Sequence, residues 1–289
     1  MGKKNSSPQG TTSGKLKGAG GFEQYYQALF TTRWPELKTA LLKEASPVAW
    51  QADVHLSPYY LDAASIRAAV SLPVAGAKAL LDLCAAPGGK TLVLSSLMEE
   101  DATLLSNERS RERLSRLVRV ADQHMTGGVR RRVSICGKDG ATLCKNPANH
   151  FDRILLDAPC SSERHLLSSP QYLEQWSPAR IKTLAMAQWA LLSSAYRMLN
   201  PEGYLLYATC ALSPEENDKV VDRLTAKFPD VELVQDLPPV PEKVSQFCQL
   251  PLPEPEKTRL GFHVLPDTAG GAGPLYFSLI HKKTMEDGE

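Results

Sequence analysis

Two cysteines and one aspartate in this sequence stand where predicted strands end. Asp157 and Cys160 belong to the run Asp157-Ala-Pro-Cys-Ser161, and Cys210 directly follows Thr209. Because the carboxyl ends of parallel strands meet at one edge of a sheet, we expect both thiols to converge beside the acid. A lone cysteine is most often a buried, inert side chain, but a thiol beside an acid can act as a covalent nucleophile. The convergence therefore favours covalent catalysis by a cysteine.

A second motif, Asp82-Leu-Cys-Ala-Ala-Pro-Gly-Gly-Lys-Thr91, lies where a predicted strand meets a helix. Its small residues let the backbone approach a ligand closely, and the first turn of the helix supplies free amide donors. The motif is neither the G-x-G-x-x-G fingerprint nor a Walker A loop. An ordinary strand-to-helix turn does not need this run of alanine, proline and glycine, so the motif predicts a ligand site.

Acidic residues follow the next two predicted strands. Glu108 comes roughly 20 residues after the glycine-rich turn, the spacing at which doubly wound folds place a carboxylate on a ribose. Asp139 follows the third strand and could accept a hydrogen bond from an adenine amino group. Each acid could instead cap the helix that follows it, and the sequence leaves both interpretations open.

The elements that must position these residues alternate between strand and helix from residue 79 onward. Short apolar runs predict strands over residues 79–83, 103–106, 133–136, 152–157 and 204–209, with closing strands over 231–234 and 275–280. Helices are predicted from residue 90 and over residues 110–123, 178–199 and 214–227. This alternation indicates an α/β fold with a doubly wound, mostly parallel, seven-stranded sheet of the Rossmann-like type.

The N-terminal part differs in composition from the rest of the chain. Residues 1–21 are rich in Gly, Ser, Lys and Thr and predict a disordered basic tail. Residues 22–75 predict a short, amphipathic helical extension, broken at Pro35, Pro47 and Pro58, which is a candidate for RNA contact. Residues 76–285 are predicted to form the catalytic domain.

Bulk properties restrict the classes of function. The 289 residues carry a formal net charge of +1, so nucleic-acid binding would depend on local basic patches. The six cysteines include no C-x-x-C pair, which argues against a structural metal site. No apolar run is long enough to span a bilayer, and the first twenty residues lack an apolar core. We therefore expect a cytoplasmic protein with no metal and no membrane partner.

These motifs together make the sequence resemble the Nop/Sun family of RNA cytosine-C5 methyltransferases, which includes the bacterial Fmu-type enzymes. The resemblance extends from about residue 60 to residue 283. It is carried by Asp62-Ala-Ala-Ser65, residues 81–91, Asp157-Ala-Pro-Cys160, the stretch from Trp176 through Gln188 to Gly203, residues 207–217 and Gly273-Pro-Leu-Tyr-Phe277.

The resemblance implies a class I methyltransferase that uses S-adenosylmethionine to methylate C5 of cytosine in RNA through a cysteine–C6 adduct. It identifies Cys210 as the nucleophile and Cys160 as the second catalytic cysteine. Asp157 is implied to lie near both the cofactor and the base, and Lys90 to orient it. The implied cofactor-binding residues are Cys84, Ala85, Ala86, Pro87, Gly88, Gly89, Lys90, Glu108, Arg113, Asp139 and Asp157.

One departure from the family pattern bears on the substrate. Many bacterial relatives have Gly-Thr after the Pro-Cys motif, whereas this chain has Ser161-Ser-Glu-Arg-His165, which resembles the branch with mitochondrial rRNA and tRNA enzymes. We expect rRNA as the substrate, with tRNA as the next choice. The catalytic domain, the N-terminal helices or a partner protein could select it.

Two other functions are compatible with parts of the sequence. DNA cytosine-C5 methyltransferases use the same addition chemistry, but their nucleophile is the Pro-Cys cysteine and they usually carry a large target-recognition domain. An assembly factor that binds S-adenosylmethionine without catalysis is the third candidate. Intact Cys160, Cys210 and Asp157 argue against that candidate.

Overall fold

The structure is a computed structural model that describes residues 16–44, 47–249 and 251–284. Its helices are α1 (Gly18–Phe30), α2 (Trp34–Leu42), α3 (Ala63–Ser71), α4 (Gly89–Leu97), α5 (Arg111–His124), α6 (Gly127–Arg130), α7 (Glu163–Leu167), α8 (Pro170–Glu174), α9 (Pro178–Met198) and α10 (Asp218–Lys227). Short 3-10 helices span Thr31–Arg33, Gly140–Lys145 and Glu242–Gln246. The strands are β1 (Val48–Trp50), β2 (Tyr59–Leu61), β3 (Ala79–Asp82), β4 (Thr103–Asn107), β5 (Val133–Cys136), β6 (Phe151–Asp157), β7 (Leu199–Thr209), β8 (Val231–Leu233), β9 (Glu256–Lys257), β10 (Phe262–Val264) and β11 (Leu275–Lys282).

The predicted doubly wound, mostly parallel sheet is confirmed. Its strand order is β5-β4-β3-β6-β7-β11-β10-β9, and β8 also pairs with β11. The five neighbouring strands β5, β4, β3, β6 and β7 are parallel to one another, whereas β11 runs antiparallel to β7. The chain order reverses between β3 and β6, and in such sheets this is where ligands bind.

The sheet has more strands than the sequence predicts. Seven were expected, and the described residues place nine in one sheet. The two additional strands, β9 and β10, are only two and three residues long. They extend the sheet because β10 pairs with β11 and Phe262 stacks on Phe277. A tertiary contact of this kind leaves no periodic pattern in so short a segment.

Apolar side chains fill both faces of the sheet. One face packs against α3, α4 and α5 through residues such as Ile66, Leu92 and Ala121. The other face packs against α9 and α10 through residues such as Leu192 and Val221. Because both faces are covered, the parallel strands are buried on both sides, which explains their continuous apolar runs.

The N-terminal extension differs from its prediction at two places. Helix α1 begins at Gly18, inside the segment predicted to be a disordered tail, while residues 1–15 lie outside the described residues. The Gly18 amide donates to the Trp176 carbonyl at 2.9 Å, and Gly21 approaches the Leu16 backbone too closely for a side chain. The extension is also not wholly helical, because β1 and β2 form a two-stranded antiparallel sheet.

The extension packs on the rest of the chain through an aromatic cluster. Phe22, Tyr26 and Trp34 are buried against Trp176 and Leu212. Leu212 lies two residues after Cys210, so this cluster connects the extension to the loop that carries the predicted nucleophile. In the parts of the chain that the structure describes, no helix is long and apolar enough to cross a membrane.

Candidate active site

Three neighbouring strands end at the same edge of the sheet, and their last residues begin the site. Asp82 ends β3, Asp157 ends β6 and Thr209 ends β7. The segments that follow carry the glycine-rich turn, Cys160 and Cys210. The topology thus brings together the motifs that the sequence predicted to converge.

The two thiols lie beside each other, with a serine hydroxyl between them. The Cys210 amide donates to Cys160 Sγ at 3.2 Å. Ser162 Oγ lies 3.0 Å from Cys210 Sγ and 3.6 Å from Cys160 Sγ. The neighbouring Cys210 side chain and burial together hold the pKa of Cys160 well above its usual range. Cys160 is therefore a neutral thiol near pH 7.

Lys90 and Asp157 form an ion pair in front of the thiols. Lys90 Nζ donates to Asp157 Oδ2 at 2.7 Å and to Ser65 Oγ at 3.1 Å. Burial lowers the pKa of Lys90, but the adjacent Asp157 carboxylate outweighs this effect, so the pKa lies above its ordinary value. The Lys90 side chain is 10% exposed and that of Asp157 33% exposed, so the carboxylate faces the open side of the pair.

Two buried carboxylates hold the loops that follow the cysteines. Glu163 accepts hydrogen bonds from Tyr26 Oη at 2.6 Å, from the Leu212 amide at 3.0 Å and from the Ser161 hydroxyl. Glu216 accepts from the Ser161 amide at 2.9 Å and from Gln188 Nε2 at 2.8 Å.

Burial raises the pKa of both carboxyl groups, to about 7 for Glu216. One of the Glu216 oxygens has no hydrogen-bond partner among the described residues. Glu163 contacts the loop after Cys160, the loop after Cys210 and helix α1, so it fixes the separation of the two cysteines.

The glycine-rich turn is shaped by close packing on both sides. Gly88 has φ +121°, a conformation that favours glycine, and a side chain there would press on Val120 of α5. A side chain at Gly89 would approach Tyr59 and Leu61. The turn therefore passes between α5 and β2 with no space for larger residues.

The acids predicted to bind a ribose and an adenine lie next to this turn. Glu108 is buried, accepts from the Ser110 amide at 2.8 Å through Oε1, and has Oε2 3.2 Å from Arg113 Nη1. Arg113 also donates to the Ala86 carbonyl of the turn. Asp139 accepts from the Ala141 amide at 3.2 Å. Both acids thus make cap-like contacts with their own chain segments and also face a cavity.

Three cavities follow one another along this edge of the sheet. The thiol cavity, about 590 Å³, is lined by Cys210, Ser162, Lys90 and Asp157. The loop cavity, about 110 Å³, shares Lys90, Asp157 and Ser65 with the thiol cavity. The acidic cavity, about 320 Å³, shares Cys84 with the loop cavity. The Lys90–Asp157 pair is therefore the common wall of the first two cavities.

Most of the predicted site residues line these cavities. The loop cavity is bordered by Cys84, Ala85, Ala86, Pro87, Gly89, Lys90 and Asp157, and the acidic cavity by Cys84, Glu108, Arg113 and Asp139. Gly88 does not line them and instead packs against α5. Cys160 does not line the thiol cavity, but its Sγ accepts from the Cys210 amide at 3.2 Å. Burial raises the pKa of the Cys84 thiol, so this cysteine is a neutral wall residue.

Several residues for which the sequence indicated no role lie at the site. Asp82 is fully buried, with a pKa raised by burial to about 7, and it lines the loop cavity. Its Oδ1 has no partner in the described part of the chain, while Thr91 donates to Oδ2 at 2.6 Å. Ser65, Ser162 and Glu163 were quoted only as members of motifs. Spacing alone does not show what a serine or a glutamate contacts.

Among residues 16–44, 47–249 and 251–284, no group of three or more His, Cys, Asp or Glu side chains is arranged to hold a metal ion. The polar groups of the site are instead thiols, carboxylates, hydroxyls, and the cationic groups of lysines and arginines. Such a set suits proton transfer and covalent addition by sulfur.

Comparison with known proteins gives a consistent picture. The family model described as 16S rRNA methyltransferase RsmB/F matches residues 69–267. A mitochondrial tRNA (cytosine(34)-C(5))-methyltransferase from Danio rerio is 32% identical over 227 residues, 78% of this chain and 60% of that protein. The ribosomal RNA small subunit methyltransferase F of Serratia proteamaculans (strain 568) is 35% identical over 187 residues, 63% of this chain and 38% of that protein.

A solved structure supports the fold over a longer stretch. A methyltransferase homolog protein from Pyrococcus horikoshii superimposes with a TM-score of 0.69 at 21% identity, over 90% of this chain and 94% of that one. At this identity the likeness concerns the fold. The chain spans about half the length of these two curated relatives.

Proposed function

The chain belongs to the 16S rRNA methyltransferase RsmB/F family, and we propose that it transfers a methyl group from S-adenosylmethionine to C5 of a cytosine in RNA, with Cys210 as the covalent nucleophile. The observation that carries this proposal is the shared wall between the thiol cavity and the loop cavity. Asp157 and Lys90 face both spaces, so a methyl donor in one and a base in the other would meet beside them.

The residues of the loop and acidic cavities fit S-adenosylmethionine. Glu108 offers a buried oxygen, Oε2, that faces Arg113 Nη1 at 3.2 Å but accepts no hydrogen bond among the described residues, which suits a ribose hydroxyl. Asp82 offers a second unpartnered buried oxygen in the loop cavity, where an ammonium group would be favoured. Asp139 would accept from the adenine amino group. When bound, the cofactor would supply a methyl group on an electrophilic sulfonium centre.

The addition step depends on Cys210. C5 of cytosine is a poor nucleophile, because its electrons belong to the aromatic ring. Addition of the Cys210 thiolate to C6 interrupts this conjugation and makes C5 enamine-like. A proton passed from Lys90 Nζ to the paired Asp157 carboxylate would let Asp157 donate a hydrogen bond at N3 and so stabilise the charge that develops on the ring.

The release step depends on Cys160. The resting Cys160 is a neutral thiol because Cys210 and burial raise its pKa. Once Cys210 is bonded to C6, its sulfur carries no negative charge, and this obstacle to ionisation of Cys160 is removed. Cys160 can then assist loss of the C5 proton and breakage of the C6–S bond.

The RNA would enter through the thiol cavity. Residues of the N-terminal extension, Leu41, Leu42 and Lys43, border it together with Arg164 and His165. This supports the division into an extension over residues 22–75 that contacts RNA and a catalytic domain over residues 76–285. The target cytosine must leave its stack to reach Cys210. The family model favours rRNA as the substrate, and the tRNA enzyme among the relatives makes tRNA the next choice.

The proposed function is tested by methyl transfer from S-adenosylmethionine with a labelled methyl group. Unmodified rRNA, unmodified tRNA and duplex DNA are each incubated with the protein, and the digested nucleosides are separated by mass. We expect label in 5-methylcytidine from RNA. Label in DNA, or at another nucleoside, would contradict the proposal. Cofactor binding without transfer to any substrate would favour an assembly factor, and activity restored by a protein fraction would identify a required partner.

The proposed cofactor site makes a separate prediction. Glu108→Gln is expected to weaken binding of S-adenosylmethionine roughly 10- to 100-fold, because a hydrogen bond to a charged acceptor contributes about 1.5–3 kcal/mol. Isothermal titration calorimetry measures the dissociation constant without RNA. The matched control is Glu112→Gln, since Glu112 is exposed on α5 and pairs only with Arg116 among the described residues. Equal affinity in wild type and Glu108→Gln would remove Glu108 from the site.

A further inference from the structure

Ser162 has an unusual backbone conformation at the centre of the site. Its φ is +55° and its ψ is 64°, the left-handed region that residues other than glycine rarely adopt. Strained residues of this kind persist only where the surrounding structure holds them, and they concentrate at functional sites. The conformation places Ser162 Oγ 3.0 Å from Cys210 Sγ and 3.6 Å from Cys160 Sγ.

The contacts on both sides of Ser162 hold it in this conformation. On its N-terminal side, the Ser161 amide donates to Glu216 at 2.9 Å and the Ser161 hydroxyl donates to Glu163. On its C-terminal side, helix α7 begins at Glu163, whose carboxylate also accepts from the Leu212 amide at 3.0 Å. Ser162 is thus fixed between two buried carboxylates, and its hydroxyl is the part that extends toward the two sulfur atoms.

The geometry of the three groups allows a chain of two hydrogen bonds. Either atom can donate in each contact, so the Cys160 S–H can donate to Ser162 Oγ. The Ser162 hydroxyl then has its own proton free to donate to Cys210 Sγ. A hydrogen bond to a charged acceptor is stronger than one to a neutral acceptor, so a hydroxyl in this position stabilises negative charge on the Cys210 sulfur.

We propose that the Ser162 hydroxyl is a catalytic group that donates a hydrogen bond to the Cys210 sulfur and accepts one from Cys160. The proposal rests on the proposed function, in which Cys210 is the nucleophile. Ser162 keeps its proton throughout. It stabilises the thiolate before attack and again when the thiolate leaves.

Ser162 assists two steps, addition and release. In addition, a lone pair of Cys210 Sγ forms the S–C6 bond, and the C5–C6 π pair becomes available at C5. In release, Cys160 first gives its S–H proton to solvent, and the C5 proton then passes to the Cys160 thiolate or directly to water. The C5–H pair re-forms the C5–C6 double bond, and the C6–S pair returns to Cys210. The returning negative charge is again adjacent to the Ser162 hydroxyl.

Two variants distinguish the effect of the Ser162 hydroxyl from the effect of the strained backbone at Ser162. Ser162→Ala removes the hydroxyl and keeps a side chain in the left-handed conformation. Ser162→Gly removes the hydroxyl and relieves the strain, so its melting temperature should equal or exceed that of wild type. Ser245→Ala is the matched control, because Ser245 is exposed on a remote 3-10 helix.

The test is alkylation of Cys210 by iodoacetamide as a function of pH, followed by mass spectrometry of the Cys210 peptide. Both Ser162 variants are expected to alkylate about tenfold more slowly than wild type at pH 7, with the midpoint of the profile moved to higher pH. Ser245→Ala should match wild type. A wild-type profile in Ser162→Gly would overturn the proposal, whatever Ser162→Ala does, since the hydroxyl would then be dispensable.

A second measurement separates this inference from the proposed function. Alkylation needs neither RNA nor cofactor, so its outcome does not depend on methyl transfer. If wild type does not methylate RNA while both variants still alkylate slowly, the proposed function fails and the hydrogen bond to Cys210 stands. If wild type methylates RNA, we expect a roughly tenfold lower kcat in Ser162→Gly with an unchanged KM for RNA. Methylation at the wild-type rate in Ser162→Gly would contradict a catalytic role.

Discussion

Replacement of Cys210 by alanine is expected to lower the rate of RNA methylation by roughly 10⁴-fold or more, the scale seen when an enzyme loses its nucleophile. The reason is that C5 becomes reactive only after sulfur adds to C6, and no second cysteine among the described residues lines the thiol cavity. Cys160 is adjacent, but it does not line the thiol cavity, and in this variant burial still raises the pKa of its thiol.

The measurement is single-turnover methyl transfer, with affinity for S-adenosylmethionine determined in parallel. Cys210→Ala should bind the cofactor as wild type does, because Cys210 does not line the loop or acidic cavities. Cys144→Ala is the control for loss of a thiol, since Cys144 lines none of the three cavities. Retained activity in Cys210→Ala together with an inactive Cys160→Ala would reverse the roles. The Pro-Cys cysteine would then be the nucleophile, as in DNA cytosine-C5 methyltransferases.

The sheet could be predicted from the sequence because its strands are buried on both faces. Residues 79–83, 133–136 and 152–157 form apolar runs bounded by glycine, acid or polar residues, and their observed limits differ by a residue or less. Once the strands are parallel, the residues after β3, β6 and β7 must meet at one edge. The proximity of Asp157, Cys160 and Cys210 follows from the sequence by this topological argument alone.

The N-terminal extension could not be predicted in the same way. Its glycines predict disorder, yet helix α1 begins at Gly18, which has φ +63°, and Gly21 lies too close to the Leu16 backbone for a side chain. The strands β1 and β2 are three residues each and pair only with one another in the described residues. In both cases a tertiary contact outweighs local propensity, and a single sequence does not display such contacts.

The contacts around the two cysteines also could not be predicted from the sequence. Glu163 is 137 residues from Tyr26 along the chain, and the two side chains are joined at 2.6 Å. Its charge and position suggest an exposed first-turn glutamate of a short helix, whereas it is fully buried. Likewise Ser162 is an ordinary turn residue by sequence. Its left-handed backbone and its position between two thiols depend on the partners of Ser161 and Glu163.

The second large effect is expected for Cys160→Ala, which should trap the enzyme on its RNA. In this variant Cys210 can still add to C6 and the methyl group can still be transferred. Release is expected to slow by roughly 10²- to 10⁴-fold, the range contributed by a positioned acid–base group. The trapped species is a covalent bond between protein and methylated RNA. It should migrate as an RNA-linked protein band on a denaturing gel after incubation with S-adenosylmethionine.

The double variant shows whether such a band comes from Cys210. Cys160→Ala combined with Cys210→Ala should give no band, because the only sulfur able to reach C6 is absent. Cys160→Ala alone should methylate up to one equivalent and then stop, which separates failure of release from failure of addition. Multiple turnovers at the wild-type rate would exclude Cys160 from release. In that case water or Asp157 would have to remove the C5 proton. The hydrogen bond from the Cys210 amide to Cys160 Sγ would then serve only to position the loop that carries the nucleophile.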